Sequence, residues 1–107
     1  MAEDMSKMMG RLQELQAQMA QAQEEVGAMQ ATAESGGGVV KATVSGSLQV
    51  MRIQIDKEII DPEDPEMLED LILAAVNRAI ERARELGETR MADVTRSLLP
   101  PGFPGIG

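Results

Sequence analysis

The chain has 107 residues, a formal charge of −8, a single aromatic residue in Phe103, and neither cysteine nor histidine. That length fits one domain, and a core without its largest burial units favours a second copy as compensation. Disulfides, thiolate and imidazole metal sites, thiol nucleophiles and imidazole bases are all excluded, and a zinc ion would have only carboxylates.

The opening 31 residues are too polar for a secretory signal. No apolar run approaches the roughly 18 residues that a membrane span requires. A cytoplasmic protein without membrane contact is therefore expected. The acidity is local: residues 57–70 carry seven acidic side chains against Lys57, whereas residues 71–107 carry five arginines against four acids.

From Met5, the residues Met5, Met8, Leu12, Leu15, Met19, Ala22, Val26 and Met29 recur at alternating steps of three and four. Such a narrow stripe is the seam of a coiled coil rather than the broad face of a globular helix. It predicts a helical arm over residues 3–31, supported weakly by Glu3–Lys7 and Arg11–Glu14 pairs. Methionine makes the seam adaptable. Its partner is either the chain's own C-terminal helix or a second chain.

The period changes after Gly36-Gly37-Gly38, and residues 32–56 read as a β segment. Val40, Ala42 and Val44 alternate with Val39, Lys41 and Thr43. Ser45-Gly46 makes a turn, and Leu48 to Asp56 alternates again, with Met51, Ile53 and Ile55 on one face and Val50, Arg52 and Gln54 on the other. Ala31 to Ser35 supplies a candidate first strand, giving two to three antiparallel strands.

Residues 57–64 form an acidic loop containing Asp61-Pro62-Glu63-Asp64. Its spacing fits no EF-hand. It fits a helix start, with Asp64 at the N-cap and Pro65 at the first helical position. A C-terminal helix follows over residues 65–98, with Leu68, Leu71, Ile72, Ala75, Val76, Ala79, Ile80, Ala83 and Leu86 on a wide apolar face. Residues 99–107, Leu99-Pro100-Pro101-Gly102-Phe103-Pro104-Gly105-Ile106-Gly107, are expected to form a flexible tail. The fold class is thus α+β in a single domain.

Little catalytic chemistry survives. A phosphate-binding P-loop needs G-x-x-x-x-G-K-[ST] between a strand and a helix, and here a strand follows the glycines. No serine has a histidine partner, the lysines lie in polar settings, and the carboxylates of residues 57–70 read as solvated. No enzyme, cofactor or small-molecule substrate is expected. On a continuous helix Arg78, Arg82 and Arg96 fall within roughly 40° of one another, a stripe that could meet phosphates. The same residues could instead form a solvated face of Arg78–Glu81, Arg82–Glu85 and Arg84–Glu88 pairs.

Taken in order, four pieces resemble the YbaB/EbfC nucleoid-associated proteins: MMGRLQELQAQMAQAQEEV, the segment ESGGGVVKATVSG, RIQID with MLEDLILAAVNRA, and the closing LPPGFPG. The resemblance implies a tweezer-like homodimer with helical arms on a β-containing core. It also implies a bacterial protein that binds duplex DNA with little sequence preference, affecting nucleoid organisation and gene expression. The candidate DNA contacts are Lys7, Arg11, Arg78, Arg82, Arg84, Arg90 and Arg96. The candidate arm or dimer packing residues are Met5, Met8, Leu12, Leu15, Met19, Val26 and Met29. At −8 per chain, DNA binding is expected to be weak, carried by phosphate contacts and salt-dependent. The alternative reading is a Met-rich helical adaptor that binds proteins and not DNA.

Overall fold

A computed structural model describes residues 2–99. Its elements run α1 (Ala2–Ala28), β1 (Gln30–Ser35), β2 (Val40–Ser45), β3 (Val50–Ile55), a short 3-10 turn (Lys57–Ile59) and α2 (Pro65–Leu98). The expected tail from residue 100 lies outside the described residues. The three strands form one antiparallel sheet in the order β1-β2-β3. The first helix stops earlier than residue 31, because Gln30 and Ala31 are drawn into β1 opposite Ser45 and Val44.

The glycine triplet is the β1–β2 turn. Gly36, Gly37 and Gly38 all have positive φ, at 60°, 76° and 101°, a run that only glycine adopts without strain. In the second hairpin Leu48 takes φ 65°, and Ser45 Oγ accepts from the Gln49 amide. One detail departs from simple alternation. Thr43 pairs with Arg52 but Val44 with Val50, so Met51 is the extra residue of a β-bulge. The bulge resets the pleat. Val50 therefore joins Ile53 and Ile55 on the apolar side, where strict alternation places Met51.

At the start of α2 the Asp64 carboxylate accepts from the Met67 amide, with Pro65 opening the helix. That satisfies one of the otherwise unpaired N–H groups of the first turn. Ala75, Ala79 and Ala83 then lie buried on Ala31, Ala33, Ala42, Val40 and Val44. Alanine on both surfaces lets the helix approach the sheet closely, and the result is a thin core whose largest fully buried side chains are Val40 and Val44. Ser35 Oγ donates to the Leu71 carbonyl at 2.6 Å, tying β1 to α2.

The helix does not cover the sheet evenly. It packs on β1 and β2, while Val50, Met51 and Ile53 of β3 stay exposed, as does Leu73 of α2. Helix α1 runs back along the distal half of α2. Val26 packs beside Gly87, Glu25 pairs with Arg90, and Leu15 shares a groove with Leu98. The junction is tight where the second hairpin turn passes under the end of α1. Gly46 donates its amide to the Met29 carbonyl at 2.7 Å, and a Cβ on Gly46 would collide with the Val26 carbonyl.

Gly46→Ala is therefore expected to force a backbone shift and cost about 1–3 kcal/mol, lowering the melting temperature by about 4–8 °C per kcal/mol. Gly10→Ala, whose added Cβ meets nothing, is expected to be neutral or to stabilise by up to about 1 kcal/mol. Thermal unfolding followed by circular dichroism compares the two.

Candidate nucleic-acid interface

The structure scatters the basic residues singled out from the sequence. Lys7 and Arg11 are exposed on the N-terminal half of α1, with Arg11 lining a groove beside Glu14, Leu15, Gln18 and Leu98. Arg90 is committed to Glu25 at 3.2 Å, and Arg96 to Asp93 at 3.8 Å. Among the described residues those two are the ion pairs, so the expected helix-surface pairs of Arg78, Arg82 and Arg84 are not formed. Arg84 is exposed on α2.

Arg78 and Arg82 have another task. The Arg78 guanidinium donates to the Glu34 carbonyl at 2.9 Å, and that of Arg82 to the Thr32 carbonyl at 2.7 Å. Strand β1 is an edge strand, and alternate residues turn their backbone groups outward from an edge. Four helical residues rise about 6 Å, close to the roughly 6.7 Å of two strand residues. Arginines at i and i+4 on α2 therefore meet alternate carbonyls of β1. Each bond uses one of five guanidinium donors, so both cations still present N–H groups to solvent.

The seam of α1 divides in two. Ala22 is buried and Met19, Val26 and Met29 are partly covered. Met5, Met8 and Leu12 remain exposed, at 66%, 65% and 57%, and Leu15 is borderline. From Leu15 onward the seam's partner is thus α2 of the same chain. Between the helices an open groove of about 320 Å³ is lined mostly by polar groups, including Gln18, Gln21, Glu25, Arg90 and Ser97.

The uncovered face of the sheet carries basic residues that were not singled out. Opposite the helix-covered side, Thr32 pairs with Thr43, which pairs with Arg52, and Glu34 pairs with Lys41, which pairs with Gln54. Apart from the half-buried Thr43, these side chains are exposed, and the two threonine hydroxyls hydrogen-bond at 2.9 Å. The signal was present in the alternation itself, since the polar positions of the hairpin strands β2 and β3 contain two cations and no acid. No cluster of three potential metal ligands occurs among the described residues, and none of their helices is long and apolar enough to cross a membrane.

The sequence model of the YbaB/EbfC DNA-binding family matches residues 1–98. The chain belongs to this family. It is similar to a nucleoid-associated protein of Moorella thermoacetica, 48% identical over 94% of this chain and 96% of the relative. A nucleoid-associated protein of Anaeromyxobacter sp. strain Fw109-5 is 41% identical over 95% of this chain and 99% of its own length. One from Nocardia farcinica is 37% identical over 96% of this chain and 94% of its own. The fold matches the crystal structure of the uncharacterised protein HP0035 of Helicobacter pylori, with a TM-score of 0.69 at 23% identity, covering 84% of this chain and 95% of that one. The YbaB/EbfC family is a nucleoid-associated, DNA-binding class of bacterial proteins and not an enzyme class.

Arg78→Ala with Arg82→Ala is expected to bare the β1 edge. The loss should be about 0.5–1.5 kcal/mol per bond, with increased self-association through the unpaired strand. Unfolding scans and light scattering measure the two effects, and Arg82→Lys should retain part of the protection.

Proposed function

We propose that this YbaB/EbfC member acts as a homodimer that binds duplex DNA at the nucleoid of the bacterial cytoplasm, largely without sequence preference and through phosphate contacts. The observation that carries the reading is the family match across residues 1–98. The charge supports its manner. A chain at −8 gains no long-range attraction from its net charge. Binding must come from short-range contacts by cations that are not already paired, and the affinity is modest and falls steeply with salt.

The uneven core supports the dimer. Val50, Met51, Ile53, Ile60 and Leu73 are exposed, Leu73 at 61%. Val50 and Ile53 stand on the helix side of β3, opposite Val44 and Ala42, a strip that α2 leaves bare. Burying a Val, Leu or Ile contributes about 1.5–3 kcal/mol, so two copies placing these strips together gain what the thin alanine core does not supply. Because this strip is on the helix side, the dimer leaves the polar face of each sheet open.

The exposed Met5, Met8 and Leu12, with Met9 beside them, favour a second reading, a helical adaptor for protein partners. Reversing the charge of unpaired basic groups separates the readings, because only the DNA reading loses its function.

An anisotropy titration of the full chain with duplex DNA at low salt should show micromolar-range or weaker binding whose logarithm falls linearly with log salt, by about 0.9 per phosphate neutralised. Binding indifferent to salt, or none at tens of micromolar protein, would sink the DNA reading. Separately, Ile53→Glu with Leu73→Glu is expected to convert a dimer to a monomer in multi-angle light scattering.

A further inference from the structure

The geometry points to the open face of the β-sheet, and not the helical arms, as the surface that meets the DNA backbone. This rests on the DNA-binding reading and assigns it a place. Two rows cross the sheet. In the first, Arg82 is anchored on the Thr32 carbonyl at the β1 rim, the Thr32 and Thr43 hydroxyls are bonded to each other, and Arg52 stands opposite Thr43. In the second, Arg78 is anchored on the Glu34 carbonyl, and Glu34, Lys41 and Gln54 follow in register.

On the strands these rows set Lys41 and Arg52 against the single carboxylate of Glu34, with Arg78 and Arg82 at the rim, where Glu85 shares a groove with Arg82, on a chain whose overall charge is −8. Elsewhere the basic groups are diluted. Lys7 and Arg11 share residues 1–31 with five acids, Arg90 and Arg96 are paired with Glu25 and Asp93, and Arg84 lies among Glu81, Glu85 and Glu88 in sequence. Phosphate contact needs cations that outnumber the acids around them, and the strands supply Lys41 and Arg52 with Glu34 as the one acid.

The neutral groups fit the same partner. Hydroxyls and amides donate to phosphate oxygens without reading base identity, and Thr32, Thr43, Gln54 and Gln30 supply both kinds. The rows lie two strand residues apart, about 6.7 Å, a spacing comparable with two axial rises of roughly 3.4 Å on the duplex. Arg78 and Arg82 cannot swing away as free side chains do. Their bonds to β1 fix them at the rim, which lowers the entropy lost on contact.

The test is the same salt-dependent titration on full-length variants. Lys41→Gln with Arg52→Gln is expected to weaken binding about tenfold or more at low salt and to flatten the salt dependence by about 1.8 for each protomer engaged. Melting temperature and dimer mass should be unchanged, and Lys41→Arg with Arg52→Lys should bind as the unmodified chain does. Lys7→Gln with Arg11→Gln should have little effect. The inference is overturned if the sheet-face variant binds with unaltered affinity and slope while the arm variant loses binding. It is equally overturned if the sheet-face variant falls to a monomer, since that face would then be covered by a second copy. If the unmodified chain does not bind duplex DNA, the DNA reading itself fails and this inference falls with it.

Discussion

The alanine contact between α2 and the sheet sets the rest of the molecule. Ala75, Ala79 and Ala83 lie on Ala31, Ala33 and Ala42, and the largest side chains fully buried there are Val40 and Val44. A helix seated that closely, above β1 and β2, is within an arginine's reach of the far edge of β1, and it leaves β3 bare. Bulkier residues at these positions would lift α2 away and lengthen the path from Arg78 and Arg82 to the Glu34 and Thr32 carbonyls. The same seating explains why few large side chains are fully buried: the apolar mass sits on the flanks, in Ile53, Leu73 and their neighbours, where a second surface can use it.

Electrostatics follow the same division. The carboxylates concentrate between the sheet and the start of α2, where Asp64 and Glu66 meet the positive end of the helix dipole and are stabilised by it. The strands β1–β3, from Gln30 to Ile55, hold Glu34 as their only acid. A strongly acidic chain can thus keep one face that is not acidic. Net charge governs long-range approach, but within a Debye length of about 8–10 Å the local arrangement decides.

Much of the architecture was legible because it depends on period and on a few residues with a narrow conformational menu. The heptad steps of α1, the positive-φ glycines and the Asp64-Pro65 helix start each specify local structure without help from the rest of the chain. The Met51 bulge was not legible, since nothing in Val50-Met51-Arg52 distinguishes a bulge from simple alternation until β2 fixes the register. Nor were the destinations of Arg78 and Arg82. Helical spacing shows that they share a stripe and lie near Glu81 and Glu85, but not that a strand 44 or 50 residues away in sequence offers carbonyls at a matching pitch. Lys41 and Arg52 do not stand out in the sequence as DNA contacts for a related reason. Each is a single cation on its strand, and the face they form exists only once the strands are paired.

The arm shows how one sequence pattern can serve two environments. From Leu15 to Val26 the heptad stripe lies along α2, where Ala22 is buried and the fit is close enough for Val26 to rest beside Gly87. From Met5 to Leu12 the same stripe is exposed, although its spacing does not change. What changes is the length of the partner: α2 ends at Leu98, beside Leu15. Exposed methionines lose less than exposed leucines or isoleucines when no fixed partner is present, because the unbranched thioether side chain adapts to whatever it meets. Side-chain type follows the packing only in part: Met5 and Met8 are exposed, but so is Leu12, and Met19 is partly covered alongside the buried Ala22. The seam is packed where α2 supports it and open where it does not.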